Sequence, residues 1–269
     1  MFLYNMYNKI RFFDVSLRDG LQSIPKIYSM KEKKHMLHNI IKKFNPPDIE
    51  IGSIVSPKLL PQMADSIELH NYAKSKFPKH NFYMLVPNEK YFEIAKKSGI
   101  KNFSFITSVS NSFQKKNTNK TINETNIELS KILAKLDDTH KSKLYVSCIT
   151  QCPIDNQQNI DKIVYTLNNN LHFPVDNVCL SDTCGTLNFS NFKNIYDNLD
   201  VLRREKLSLH LHNPHNPDIP QIVSYALRHN IRTIDVCFTD MGGCSVTIND
   251  DQLKSNLTYA YFKELYENA

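Results

Sequence analysis

Two hydrophobic rhythms alternate along the chain. Short β-branched or aromatic runs, bounded by polar residues or proline, occur at residues 11–16, 48–52, 81–86, 102–106, 143–148, 177–181, 207–212 and 233–238, and each predicts a strand. Between them, apolar residues fall at i, i+3, i+4 and i+7. This holds for Leu37/Ile40/Ile41/Phe44, Leu129/Ile132/Leu133/Leu136, Ile160/Ile163/Val164/Leu167 and Phe192/Ile195/Tyr196/Leu199, and it predicts amphipathic helices. Thr121 and Glu124 have the spacing of a capping box ahead of the second of these, and Gly99 closes the helix after the third strand. Eight alternating β/α units, with no linker, repeat or low-complexity insert, predict an α/β fold of the (β/α)8 TIM-barrel type, with residues 1–269 as a single catalytic domain. A doubly wound open sheet is the structural alternative, but it would normally carry a Gly-rich turn after the first strand, and the chain has six glycines in all.

Composition narrows the function classes. Apolar residues make up 41% and charged residues 22%, with no run long enough for a membrane span, so a membrane role is not expected. The N-terminal segment has no signal-peptide core and no presequence ahead of the first strand, which predicts a cytoplasmic protein. The net charge of +6 comes from lysines scattered over predicted helices, as in KEKKHMLHNIIKK. That is a solvated face rather than a nucleic-acid stripe, and it suits an anionic small molecule. Six cysteines in a chain this long do not read as a disulfide framework; Cys148 and Cys152 lack a second pair that would complete a zinc site.

In a (β/α)8 barrel the chemistry sits where the strands end. Strand one runs into Arg18-Asp19-Gly20-Leu21-Gln22, strand two carries Glu50 between isoleucines, strand six leads to Asp182 and Thr183, and strand seven bears the sequence LHLHNPHN. An Arg-Asp pair can be a surface ion pair, and a His-x-His can be the wet end of a strand. Residues i and i+2 of a strand share a face, so His210 and His212 project together, whereas His215 lies beyond Pro214 in a loop. Once the barrel closes, strand one is a near neighbour of strand seven through strand eight, and Asp19 can meet the imidazoles. Such a mixed N/O site with open positions suits Mg²⁺ or Mn²⁺ better than structural zinc.

These segments, together with SPKLLPQMADS, YVSCITQCP, LSDTCGT and MGGCS, resemble the 3-hydroxy-3-methylglutaryl-CoA lyases of the metal-dependent aldolase and acyltransferase barrels, over residues 10–260. The resemblance implies retro-Claisen cleavage of a CoA thioester to acetyl-CoA and acetoacetate, by an enzyme that can form a homodimer. By position it makes Asp19, His210, His212 and an asparagine the metal ligands; Asn256 fits the family's Asn-Leu context, and Asn249 is its rival. It assigns Arg18 to the thioester oxygen, Asp19 or His210 to proton abstraction, and Cys244 to protonation of the acetyl-CoA carbanion. Gln22, Glu50, Tyr145, Asp182 and Thr183 would line the substrate pocket. Lys143 stands where the family has an arginine, which turns a bidentate substrate contact into a point charge. Tyr259 to Tyr261 replace the family's acidic residues, Asn213 follows the second histidine in place of an acid, and the family's further C-terminal helices are not found before Ala269. These departures bear on CoA affinity, dimer packing and the acyl group. The same metal chemistry on another 3-hydroxyacyl-CoA or a 2-oxo acid, or a catalytically silent barrel kept for binding, are the alternatives.

Overall fold

The computed structural model describes residues 10–156, 159–239, 242 and 254–267. Its strands are β1 (Arg11–Asp14), β2 (Asp48–Ser53), β3 (Asn81–Leu85), β4 (Asn102–Ser108), β5 (Lys141–Ser147), β6 (Asn177–Ser181), β7 (Leu207–His210) and β8 (Thr233–Val236). Every neighbouring pair is parallel, and β1 pairs with β8, so the sheet closes into the expected eight-stranded barrel. The helices are α1 (Asp19–Gln22), α2 (Met30–Phe44), α3 (Ser66–Lys76), α4 (Glu89–Lys97), α5 (Asn111–Thr118), α6 (Ile122–Leu133), α7 (Ile160–Leu171), α8 (Phe189–Asp197), α9 (Ile219–Arg228) and α10 (Tyr259–Glu267). Among the described residues, none is long and apolar enough to cross a membrane.

Local chemistry accounts for the helix boundaries. The Thr121–Glu124 capping box forms in both directions at the start of α6, and Gly99, with φ of +76°, follows α4. Ser29 and Glu32 build a second capping box at α2. The structure departs from the periodic reading in one connection and at several element ends, where β1 and β8 stop two residues early, at Asp14 and Val236, and β4 runs on to Ser108. Two helices, α5 and α6, connect β4 to β5, and α6 ends at Leu133 rather than continuing to Leu136. β5 begins at Lys141, two residues before the apolar run, because the backbone pairing with Asn102 starts there. β7 ends at His210; His212 instead forms an isolated antiparallel bridge with Asn256.

The strands bury two different faces. Leu144, Val146, Val178, Leu180, Leu207, Leu209, Ile234 and Val236 point outward and join one apolar cluster with helix residues such as Leu167, Phe192 and Ile222. Alternation turns the intervening residues inward. There Phe13, Val15, Tyr83 and Cys237 make a small separate apolar cluster, alongside the buried polar residues Glu50, Lys143, Ser208 and Asp235. The outward face supplies the main hydrophobic adhesion, and the inward face carries buried charge to the barrel mouth.

Candidate active site

Where β7 ends, His210 and His212 turn the same way and are 5% and 3% exposed. Their Nε2 atoms are 3.2 Å apart. His212 donates from Nδ1 to the carbonyl oxygen of Asp182 at 2.8 Å, and His210 Nδ1 lies 3.1 Å from Asp235 Oδ2. Those acceptors assign the proton of each neutral ring to Nδ1, leaving two Nε2 lone pairs facing one another. Asp19 Oδ2, brought in by α1, is 3.8 Å from the first Nε2 and 3.7 Å from the second. Two opposed lone pairs beside a carboxylate repel unless a cation or proton lies among them. Asp19, His210 and His212 therefore form a group that could hold a metal ion, and their ligand atoms all lie within 4.8 Å of one another. The Asn256 amide reaches the same carboxylate oxygen at 2.7 Å. Gly242, with φ of +110°, approaches so closely that a Cβ there would collide with the Asn256 side chain.

Arg18 closes the other side. Its Nε donates to Glu50 Oε2 at 2.5 Å and its Nη1 to Asp19 Oδ1 at 2.5 Å, while the Tyr145 ring centroid lies 5.0 Å from its Cζ. Tyr145 Oη donates to the same Glu50 oxygen, and Gln22 Nε2 donates to Asp19 Oδ1 at 2.6 Å. Burial opposes charge on the guanidinium, but Glu50 and Asp19 outweigh it and raise its pKa well above the ordinary value. Burial likewise opposes ionisation of Asp19, yet the adjacent Arg18 guanidinium holds its carboxyl well below the usual range. For Tyr145, burial and the carboxylates of Asp235 and Glu50 push the phenol upward. The result is a fixed cation and an ionised carboxylate beside an un-ionised phenol.

A cavity of about 280 Å³ opens over these groups. Arg18, Asp19, Gln22, Tyr145, Thr183, His210 and His212 form its floor, with Val55, Leu60, Leu85, Ile106 and Phe113 on its walls. Three residues expected to contact substrate do not line it. The Glu50 side chain lies beneath Arg18 and Tyr145. Asp182 accepts from the backbone N–H groups of Thr186 and Leu187 and from Thr150 Oγ1, so its carboxylate shapes the loop, and its carbonyl orients His212. Lys143, expected as a point-charge contact to substrate, is 1% exposed and pairs inside the barrel with Asp235. Its position on β5, one inward step below Tyr145, puts the ammonium in the layer under the cavity. Cys244 and Asn249 lie outside the described residues. Sequence reasoning missed Asp235 altogether; its signal was a lone carboxylate at an inward position of a short apolar strand.

A (β/α)8 barrel whose mouth gathers an Asp-His-His group, a buried arginine and an adjoining cavity belongs to the class of barrel enzymes equipped to hold a metal ion. The HMGL-like family model matches residues 9–246, and the chain belongs to that family. It is 26% identical over 245 residues to the 3-hydroxy-3-isohexenylglutaryl-CoA/hydroxy-methylglutaryl-CoA lyase of Pseudomonas aeruginosa, an alignment that covers 89% of this chain and 80% of that one. It is 29% identical over 241 residues to the mitochondrial hydroxymethylglutaryl-CoA lyase of Macaca fascicularis, covering 88% of this chain and 72% of the relative. The mitochondrial relative separates family membership from the cytoplasmic location expected above. In fold, the chain matches an HMG-CoA lyase from Acenitobacter baumannii in complex with coenzyme A and 3-methylmalate, with a TM-score of 0.84 and 23% identity, over 97% of this chain and 84% of that one.

Proposed function

We propose that this protein is a divalent-metal-dependent carbon-carbon lyase, acting as one catalytic domain, that cleaves 3-hydroxy-3-methylglutaryl-CoA to acetyl-CoA and acetoacetate. The observation that carries the reading is the facing pair of Nε2 atoms beside the Asp19 carboxylate. Asp19, His210 and His212 would hold Mg²⁺ or Mn²⁺, with Asn256 as the fourth protein ligand. When bound, the ion lowers the pKa of the substrate's C3 hydroxyl and fixes its orientation. Arg18, already held by Glu50, offers a fixed cation to the thioester oxygen as the C2–C3 bond breaks and enolate charge develops. The C3 hydroxyl proton passes to the Asp19 carboxylate, since a His210 ring that ligates through Nε2 and keeps its proton on Nδ1 has no free lone pair, and Cys244 returns a proton to the acetyl-CoA carbanion. Tyr145, Gln22 and Thr183 bound the volume in which the acyl group lies.

The experiment is a cleavage assay on chelator-stripped protein with Mg²⁺ or Mn²⁺ restored, reading acetoacetate and acetyl-CoA in equal amounts. Turnover that is unchanged in chelator overturns the metal-dependent reading, and normal turnover after Cys244→Ala removes the proton-donor assignment. The apolar cavity wall formed by Val55, Leu60, Leu85, Ile106 and Phe113 supports a second reading, in which the C3 substituent is larger than methyl. Competing the two CoA thioesters against one another in the same assay separates these substrates.

A further inference from the structure

Beneath the histidine pair, the interior of the barrel holds a buried lysine and a buried aspartate. Lys143 on β5 and Asp235 on β8 are 1% and 2% exposed, and their charged ends pair across the barrel. The ammonium lies 3.6 Å from the Phe13 ring centroid and 4.6 Å from that of Tyr145, so aromatic faces occupy the sides the carboxylate leaves open. Lys143 takes one oxygen of Asp235, and the other oxygen meets His210 Nδ1 at 3.1 Å.

We propose that Lys143 and Asp235 are positioning residues for the metal centre: Asp235 fixes the His210 proton on Nδ1, so that the Nε2 lone pair faces Asp19 and His212, and Lys143 anchors the carboxylate that does so. The proposal rests on the reading that these three residues hold a divalent ion. A neutral imidazole carries one proton on either nitrogen, and the partner of one nitrogen decides what the other can ligate. His212 has its tautomer set by a backbone carbonyl, that of Asp182, which no side-chain substitution removes. His210 depends on a carboxylate that is itself held from below. The two ligands are thus oriented by different means, and only one depends on a charge from across the barrel. An arginine at Lys143 would carry the same charge, whereas a neutral residue there would leave the Asp235 carboxylate buried without a counter-charge.

The wild-type, metal-free protein provides the first test, through the ¹⁵N resonances of its histidines. His210 is expected with a protonated Nδ1 and an unprotonated Nε2; a predominant Nε2–H form overturns the proposal, with no variant required. In Asp235→Asn, the amide oxygen turns to Lys143 and the amide N–H to His210 Nδ1, which drives the ring proton onto Nε2. Titration followed by Mn²⁺ paramagnetic resonance should then show affinity lowered by about 10- to 100-fold, with binding retained in Lys143→Arg. If the single substitution fails to fold, the apolar pair Lys143→Met/Asp235→Leu takes its place; it removes the acceptor of His210 Nδ1 without leaving a buried charge, and lowered affinity is again expected. Affinity within about threefold of wild type in whichever of these Asp235 variants folds, well under the usual loss on removing a ligand's hydrogen-bond partner, assigns the pair a purely structural role. Wild-type protein that takes up no Mn²⁺ overturns the metal reading and this proposal together. None of these readouts uses substrate, so the cleavage reaction stands or falls separately.

Discussion

The two faces of the same strands do opposite work. On the helix side, Leu207, Leu209 and Leu211 of one segment are 3%, 0% and 0% exposed and merge into a single apolar cluster. On the barrel side, the alternate residues Ser208, His210 and His212 are also buried but polar, and each has specific partners. The outward face is held by area, which is non-directional and tolerant of detail. Its inward counterpart is held by hydrogen bonds and charge pairs, which are directional and costly when incomplete. A period of two lets one strand serve both ends without either compromising the other.

That separation can be attacked from either side. His212→Ala removes an inward ligand, and cleavage should fall by roughly 10³-fold, since metal-assisted charge stabilisation is worth several kcal/mol. The metal-free variant should unfold close to wild type in urea; a large loss of stability would join the two faces into one system. Leu209→Ala, on the outward face, should cost about 2–5 kcal/mol of stability through lost contacts and a cavity, while turnover per folded molecule stays near wild type. Urea unfolding alongside the cleavage assay reads both quantities.

Asp14 sharpens the comparison because it puts a carboxyl on the outward face. It accepts from the backbone N–H and hydroxyl of Ser16 and from Tyr259 Oη at 2.9 Å. Burial raises its pKa from 3.8 to about 6, with the Ser16 and Tyr259 bonds opposing the rise. The fold therefore favours the protonated acid, a contribution fully present below the unfolded value and lost as pH rises through about 6. Asp14→Asn should accordingly gain stability over wild type by up to about 3 kcal/mol at neutral pH, with the gap closing near pH 4. Urea titrations at both pH values measure it, and a gap independent of pH contradicts the burial account.

Much of this was legible in one dimension, for reasons that differ by element. Parallel barrel strands covered by helices appear as short apolar runs, so all eight emerged near their observed positions. Thr121 and Glu124 are three residues apart, and the capping box they form is a local event. His210 and His212 were separable from His215 because alternation acts over two residues; the structure leaves His215 exposed in a turn. The expectation that Lys143 meets substrate failed for a different reason. Its partner, Asp235, is 92 residues away, and only closure of the barrel selects that pairing over the cavity. Glu50 and Asp182 were found as residues of the site region, but their direction, toward Arg18 and toward a loop backbone, depends on which donors the neighbouring strands present.

The sequence by itself determined the number and order of β/α units, the paired faces of each strand and the residue types gathered at the strand ends, because propensity, capping and alternation act over a few residues. Tertiary structure alone decided that Asn256 reaches Asp19 across 237 residues, that Asp235 stands between Lys143 and His210, and that Arg18 is gripped by Glu50. Those contacts join residues far apart in the chain, and their hydrogen bonds exist only once closure has removed water and fixed which donor faces which acceptor.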